Sequence, residues 1–318
     1  MNPAMLRLVV LRLALGALTL LIVSALVFTA TELLPGDVAE ALLGQSATPE
    51  AVAGLRAALH LDQPAWRRFL IWLAGLASGD PGRSLVNQLP VASLIGSRLP
   101  NSLTLAGITA LVMVPLALTL GVTTAMWRGT RYDRILGMAI IAIVSVPEFL
   151  IASLAVLIFA VNLHWLPALA FRSGPKDLGT LLWLLAMPVG TLALVGIGQM
   201  ARMTRAALVT VLESSYIEMA RLKGAGAMRI VLVHALPNAL GPIVNAVALS
   251  TSFLLGGVII VETIFNYPGL AKLMVDAVAT RDLPLVQACA MLFCAAYLAL
   301  VLVADVVAIL ANPRLRRA

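Results

Sequence analysis

The sequence predicts an all-α integral membrane protein with six transmembrane helices, an external helical lobe after the first span and a cytoplasmic helix between spans four and five. Of its 318 residues, 61% are hydrophobic and 12% are charged, against roughly 25% charged residues in a soluble domain. Long uncharged segments alternate with polar stretches along the whole chain. Only a bilayer lets so many Leu, Ala and Val side chains face outward, so this pattern favours a multi-pass membrane protein.

Residues 1–31 form the predicted N-terminal transmembrane helix. Arg7 and Arg12 precede an uncharged run from Leu13 to Thr31, which is long enough to cross about 30 Å of hydrocarbon as a helix. A cleaved signal peptide is the alternative interpretation, because a basic start and an apolar run are typical of both. The length of the run and the spans that follow favour a retained helix.

Residues 32–98 form the predicted external lobe, since this stretch is too polar to span a membrane. The segments Pro49–Leu61 and Pro64–Ala77 carry apolar residues at helical spacing, which predicts two amphipathic helices. Trp66 and Trp72 suit a membrane–water boundary. The lobe is therefore expected to lie outside the bilayer, next to its surface.

Residues 99–318 form the predicted five-helix core, with a polar loop at about 204–237 between spans four and five. Pro147 and Glu148 interrupt the third span. The five predicted spans are Leu99–Trp127, Ile135–Val161, Thr180–Ala201, Ala239–Val261 and Leu285–Leu310.

The distribution of basic residues predicts the orientation. The N-terminus, the loop 128–134, the insert 202–234 and the tail are rich in Arg, whereas the two short loops on the opposite side carry few basic residues. Because short cytoplasmic loops carry the excess of Lys and Arg, both termini and the insert are predicted to be cytoplasmic. The lobe and the Glu262–Pro284 loop are then external.

The residue patterns argue against an enzyme active site. The sequence has no Gly-x-x-x-x-Gly-Lys-Ser/Thr phosphate loop, no Ser/His/Asp arrangement in a soluble domain and no His/Cys cluster for a metal. Cys289 and Cys294 lie in one apolar span and point in different directions. There is no basic stripe with interleaved aromatics for nucleic acid. We therefore expect no catalytic residue, metal or cofactor in this chain, and energy must come from a partner.

The polar insert from Tyr216 to Pro237 predicts a docking helix. Ile217, Ala220 and Gly224 fall on one helical face at spacings of three and four, and small residues there suit a helix that lies in the groove of another protein. Gly224 and Gly226 are expected to end the helix in a conformation that a Cβ would oppose. An ordinary cytoplasmic loop is the alternative.

The insert also resembles a known signature. Glu218-x-Ala220-x-x-x-Gly224, followed by His234 and Pro237, resembles the EAA loop of ABC importer permeases. The run Ala220–Gly224 with His234 is similar, more closely, to the B-type permease subunit of oligopeptide, dipeptide and nickel importers. Met219 departs from the general signature, which has Ala there.

Further motifs extend this resemblance over nearly the whole chain. They are Leu34-Pro35-Gly36-Asp37, Leu61-Asp62-Gln63-Pro64, Gly79-Asp80-x-Gly82-Arg83-Ser84, Glu262-Thr263-Ile264-Phe265-x-x-Pro268-Gly269-Leu270, Arg281-Asp282-x-Pro284-Leu285-Val286-Gln287, and Asp305 with Asn312-Pro313-Arg314.

The resemblance implies a permease in a bacterial or archaeal cytoplasmic membrane, paired with a second, homologous permease subunit. Two ATPase subunits would hold ATP and Mg and would take the coupling helix, roughly Glu213–Lys223. An extracytoplasmic binding protein would deliver a peptide, a nickel chelate or another small solute. The implied ATPase-coupling residues are Tyr216, Ile217, Glu218, Ala220, Arg221, Lys223, Gly224, His234 and Pro237. The alternative function is a nucleotide-independent secondary transporter or channel.

Two further sets of residues are candidates. Glu148 lies deep in the third span, where an ionisable group costs about 2.5–3.5 kcal/mol on insertion scales. One hypothesis is that Glu148 lines the translocation path and attracts an ammonium group or a cation; the other is a structural carboxylate. The second set is interpreted as scaffolding of the external mouth with contact to the binding protein: Glu262, Pro268, Gly269, Arg281 and Asp282.

Overall fold

The computed structural model describes residues 3–33, 40, 43, 47–58, 62–170 and 177–311. Within these ranges the chain is helical apart from its loops and one isolated β-bridge. The helices are α1 (Pro3–Glu32), α2 (Pro49–Ala58), α3 (Ala65–Ala77), α4 (Val91–Met126), α5 (Arg131–Ser145), α6 (Glu148–Asn162), α7 (Leu178–Leu212), α8 (Ser215–Leu222), α9 (Ala227–Ile264), α10 (Leu270–Ala279) and α11 (Leu283–Ala311).

Five described helices are long and apolar enough to cross a membrane, namely α1, α4, α7, α9 and α11. The consecutive helices α5 and α6 pass the same test as a pair, but they are bent by 97° at the break between them. The prediction of a multi-pass helical membrane protein is confirmed. The predicted third span is two helices rather than one continuous helix.

The sequence explains where several helices begin. Thr130 caps α5, where its hydroxyl accepts a hydrogen bond from the Asp133 N–H at 3.3 Å. Asp177 caps α7 in the same way and accepts from the Thr180 N–H at 3.2 Å. The hydrogen bonds from Thr180 hold the pKa of the Asp177 carboxyl below its usual value. Short polar side chains at these positions satisfy backbone donors that a helix start leaves without partners.

The described chain groups into two compact units, and the first comprises 1–9, 103–267 and 297–318. In this unit α7 packs against α5, α6 and α9. Small residues allow close approach: a Cβ on Gly121 of α4 would lie 2.6 Å from Cβ of Thr204 on α7, and one on Gly198 would lie 2.7 Å from Cγ2 of Val144.

The second unit comprises 10–102 and 268–296, and it holds the first span and the lobe. Phe69 and Trp72 of α3 pack on Phe28 of α1, with ring centroids 5.3 and 6.0 Å from that of Phe28. Arg68 of α3 also pairs with Glu32 at the end of α1. These contacts attach the lobe to the first helix. The bounds of the two units differ from the predicted division into 1–31, 32–98 and 99–318, and that division stays a prediction.

Several sequence motifs lie outside the described residues. They are Leu34–Asp37, Leu61, the loop 171–176, the side chain of Asp305, and Asn312–Arg314.

Candidate functional site

The predicted docking segment contains a short helix, α8, whose ends are defined by backbone hydrogen bonds. Its first turn closes on the Ser214 carbonyl, which accepts from the Ile217 N–H at 3.0 Å. At the other end the Ala225 N–H donates to the Ala220 carbonyl at 3.1 Å, and the Gly224 N–H donates to the Arg221 carbonyl at 2.9 Å. This pair of bonds is a Schellman motif, which requires a left-handed residue after the helix.

Gly224 supplies that left-handed residue, with φ = +82°. The prediction of a glycine-dependent helix exit is confirmed at this position, because a Cβ disfavours such a conformation. The same prediction is wrong for Gly226, which has φ = −68° and ψ = 154°. Any residue adopts these angles, so the exit depends on one glycine and not on two.

One face of α8 packs on the rest of its own chain. Ile217 is fully buried in a cluster with Ala125, Leu208, Ile230, Ala235, Ala239 and Ile243. The sequence placed Ile217 on the face offered to a partner; here it anchors α8 to α4, α7 and α9 instead. The face left open carries Tyr216, Met219 and Leu222, which are 45%, 54% and 77% exposed.

Met219 and Leu222 were missed by the sequence reasoning. Apolar side chains at Tyr216, Met219 and Leu222 recur every three residues, which is a signal for one helical face. The prediction instead relied on the small residues Ala220 and Gly224 as the contact face, although Ala220 is only half-buried in the structure. Such an exposed apolar strip on a polar segment is typical of a surface that another protein covers.

Pro237 shapes the chain that follows α8. It lies near the start of the α-helical part of α9, directly after a π-helical turn at Ile230–Ala235. A proline has no N–H to donate to the carbonyl four residues earlier, and the proline ring clashes with that carbonyl. The wider π turn relieves this clash. The His234 carbonyl in this turn accepts from the Tyr216 hydroxyl at 3.2 Å and from Asn238 Nδ2 at 2.7 Å. Two residues of the predicted coupling set, Tyr216 and His234, are therefore joined by a hydrogen bond.

The charged residues of the segment face solvent. Glu218, Arg221 and Lys223 are exposed, and Glu218 and Arg221 line a cleft of about 740 Å³ beside α8. The cleft also includes Glu213, which pairs with Arg128 on the loop after α4. Both partners are more than half exposed, so this pair contributes little stability and leaves its charges available to a partner.

Glu148 stands at the bend between α5 and α6. Pro147 disfavours a helical conformation at Val146, which is extended with φ = −91° and ψ = 129° and ends α5. The new helix α6 then begins at Glu148, where the N-terminal end of the helix favours a negative charge. The predicted interruption at Pro147 is confirmed. The angle of 97° between α5 and α6 was not predicted from the sequence.

The Glu148 side chain is half-buried and lines a cavity of about 340 Å³. Its carboxylate lies directly against the backbone of α9: a Cβ on Gly257 would be 2.6 Å from Oε1 and 2.9 Å from Oε2. Gly257 therefore allows the approach. Ser250 and Gln199 also line this cavity, and the sequence reasoning missed both, although polar side chains within an apolar span are a signal in themselves.

The residues predicted for the external mouth are mostly buried. Asp282 is 2% exposed and accepts hydrogen bonds from the Ser84 hydroxyl and from the Leu85 N–H at 3.0 Å. The Pro268 carbonyl accepts from Asn101 Nδ2 at 2.8 Å. Gly269 is buried as the N-cap of α10. Asp282 and Gly269 are buried and Pro268 is half-buried, so the geometry supports scaffolding, and the contact with a binding protein stays a prediction.

Glu262 and Arg281 complete that set. Glu262 is fully buried, and burial together with the charge of Glu262 raises the pKa of the Tyr267 phenol to about 12. Tyr267 therefore stays neutral at physiological pH. Arg281 has a left-handed backbone, with φ = +55°, and is partly exposed, so it keeps a surface that a partner could contact.

Comparisons with known proteins identify the family of the chain. A family model described as the binding-protein-dependent transport system inner membrane component matches residues 117–317. The model for the N-terminal part of such membrane components matches residues 5–106. The chain belongs to this family.

Relatives match the permease over nearly its whole length. It is 37% identical over 298 residues to the glutathione transport system permease protein GsiC of Escherichia coli (strain K12), covering 94% of this chain and 95% of the relative. It is 37% identical over 303 residues to a putative peptide transport system permease protein of Brucella abortus (strain 2308), covering 93% and 95%. The predicted resemblance to ABC importer permeases of the peptide, dipeptide and nickel family is confirmed, and this chain is such a permease subunit.

A solved structure supports the fold of the permease. The inward-facing MetNI methionine ABC transporter matches with a TM-score of 0.56 and 18% sequence identity, covering 69% of this chain and 96% of that one. At this identity the likeness concerns the fold alone.

Proposed function

We propose that this permease forms half of the translocation path of an ATP-driven importer for peptides or similar small solutes. The observation that carries the proposal is the match of 93–94% of the chain to permeases whose names specify glutathione and peptide transport. Nickel chelates and other small solutes are the alternative cargo. The second half of the path belongs to a homologous permease subunit.

The energy comes from two separate ATPase subunits, which hold ATP and Mg, while this chain contributes no catalytic group. The helix α8 sits in a surface cleft of one ATPase and meets it through Tyr216, Met219 and Leu222, which are exposed. Glu218, Arg221 and Lys223 add charges around this contact. Ile217, Gly224, His234 and Pro237 hold the helix in position, and Ala220 permits close approach at its edge.

Coupling through α8 requires that its movement reach the membrane helices. Ile217 links it to the core cluster of α4, α7 and α9, and the Tyr216–His234 hydrogen bond links it to the start of α9. ATP-driven closure of the ATPases would then favour one of two arrangements of these helices over the other. The free energy difference comes from the contacts that α8 makes in each arrangement.

The permease lies in the bacterial or archaeal cytoplasmic membrane with both termini and α8 in the cytoplasm. The lobe with α2 and α3, and the loop that carries α10, face the external binding protein. Arg281 is the member of the predicted external-mouth set that contacts it, whereas Asp282, Glu262, Pro268 and Gly269 hold the mouth in shape. Glu148 lines the translocation path.

Reconstituted transport tests this function. The permease, its partner permease, the ATPases and the binding protein are placed in proteoliposomes, and uptake of a mixed tripeptide pool is measured with ATP, without ATP and without the ATPases. We expect uptake only in the complete system with ATP. Uptake that persists without nucleotide would instead identify a secondary transporter or channel.

A further inference from the structure

The cavity beside Glu148 has the composition of a binding site for a small polar head group. Its volume of about 340 Å³ lies at the lower end of the roughly 300–1,000 Å³ typical of ligand pockets. The walls are apolar and come from α7 and α9, and they include Leu192, Val195, Phe253 and Leu254. Three polar side chains interrupt these walls: Glu148, Gln199 and Ser250.

Among the described residues, none supplies a counter-charge to the Glu148 carboxylate. No described residue forms a hydrogen bond or an ion pair with it, and its side chain is half-buried beside largely apolar walls. An ionised carboxylate in an apolar wall is costly unless a cation or hydrogen-bond donors compensate it. A positively charged group on a ligand would supply the counter-charge for Glu148.

Ser250 gives an independent indication of a ligand. Its neighbours Thr251 and Ser252 each donate to the carbonyl four residues earlier, at 2.8 and 2.9 Å. Ser250 is 1% exposed, and its hydroxyl has no hydrogen-bond partner. Buried hydroxyls are almost always bonded, so an unpartnered one that belongs to a cavity wall is a site where a bound group can complete the hydrogen bonding.

The backbone of α9 is adapted to this arrangement. Gly257 has no Cβ at the point where one would lie 2.6 Å from Glu148 Oε1 and 2.9 Å from Leu192 Cδ2. Gly256 lines the cavity next to it. The two glycines keep the carboxylate at the cavity wall and leave the space in front of it open.

We propose that this cavity binds the primary ammonium group of the transported solute, with the Glu148 carboxylate as counter-charge and Ser250 and Gln199 as hydrogen-bond acceptors. The proposal rests on the proposed function, since it places the site on the route of an amine-bearing solute such as a peptide. The cavity holds one end of such a solute, and the apolar walls contact the first side chain.

Binding to the assembled transporter without its binding protein tests the site. Thermal unfolding of the complex of both permeases and the ATPases is followed in detergent with trialanine or with N-acetyl-trialanine. We expect trialanine to raise the melting temperature and the acetylated peptide, which lacks the ammonium group, to raise it far less. Glu148→Gln keeps the side-chain size and should raise the half-saturating concentration of trialanine at least about tenfold, because a charge-assisted hydrogen bond is lost.

Two further variants keep the test decisive. Gly257→Ala retains the charge but displaces the carboxylate, and it should weaken trialanine binding in the same direction. Glu50→Gln makes the same chemical change at an exposed position of α2 and should leave binding as in the wild type. The melting temperature without peptide shows that each variant is folded.

The outcomes separate this proposal from the proposed function. Equal stabilisation by the two peptides, stabilisation by neither, or unchanged trialanine binding by folded Glu148→Gln would overturn the ammonium site. ATP-dependent uptake of the tripeptide pool in proteoliposomes would still support the importer in each of those cases. Loss of that uptake in the complete wild-type system would overturn the proposed function itself.

Discussion

At the scale of single residues, the positions that matter most are those whose role depends on a distant partner. Asp282 is an example: its hydrogen-bond partner Ser84 lies 198 residues earlier in the chain. The sequence showed both residues within recognisable motifs, but spacing along the chain contains no information about such a pairing. The fold brings them together in the second unit, where both are buried.

Removal of the Asp282 carboxylate should destabilise this unit. Asp282→Ala leaves the Ser84 hydroxyl and the Leu85 N–H without their acceptor, and an unsatisfied buried group costs about 1–3 kcal/mol. Chemical denaturation of the detergent-solubilised permease measures the change in the free energy of unfolding. The matched control is Asp276→Ala, whose side chain is 58% exposed and pairs with Lys272 at 3.1 Å; there we expect a change below about 0.5 kcal/mol.

Gly224 permits a second prediction at this scale. Its φ of +82° disfavours any side chain, although a Cβ there would meet no atom within 4 Å. Gly224→Ala should therefore cost about 1–2 kcal/mol through backbone strain alone and should loosen the end of α8, which lowers ATP-dependent uptake. Gly226→Ala is the control, because its angles suit any residue, and equal loss of uptake in both variants would contradict this explanation.

At the scale of elements, the sequence predicted much of the helical plan but less of the packing. The five long apolar helices follow from uncharged runs that reach the roughly 20 residues needed to cross the hydrocarbon. The helices α4, α7 and α9 nevertheless extend beyond those runs, to 36, 35 and 38 residues. The break at Pro147 follows from proline chemistry, whereas its 97° angle depends on how α6 packs against α7 and α9. The face of α8 was also assigned incorrectly at Ile217. Helical spacing identifies which residues share a face, but not which face the chain itself covers.

The two faces of α8 should separate stability from coupling. Ile217→Ala removes a buried side chain from the cluster with Leu208 and Ile230 and should lower the free energy of unfolding by about 2–5 kcal/mol. Leu222→Ala changes a side chain that is 77% exposed and should leave stability within about 0.5 kcal/mol. It should nevertheless weaken binding of the ATPase subunits, measured by co-purification at graded detergent concentrations. If the Leu222→Ala variant binds the ATPase subunits as strongly as the wild type does, Leu222 is not part of the interface.

At the scale of the whole molecule, function depends on which side of the membrane each polar element occupies. The concentration of Arg near the termini and around α8 predicts that these segments are cytoplasmic, since short cytoplasmic loops carry the excess of positive residues. Helix lengths and hydropathy alone do not distinguish the two sides. The proposed importer requires α8 on the side where ATP is available and the lobe on the side of the binding protein.

Cysteine labelling tests this orientation with two exposed positions. Leu222 of α8 and Trp66 of α3 are 77% and 65% exposed, and each is changed to Cys in a background where Cys289 and Cys294 are replaced by Ser. A membrane-impermeant maleimide should label Leu222→Cys only in inside-out vesicles and Trp66→Cys only in right-side-out vesicles. Added ATPase subunits should then protect Leu222→Cys, because they cover the apolar strip, and leave Trp66→Cys unchanged. Labelling of Leu222→Cys from outside, or labelling that the ATPases do not reduce, would contradict the cytoplasmic docking of α8 and with it the route by which ATP drives the permease.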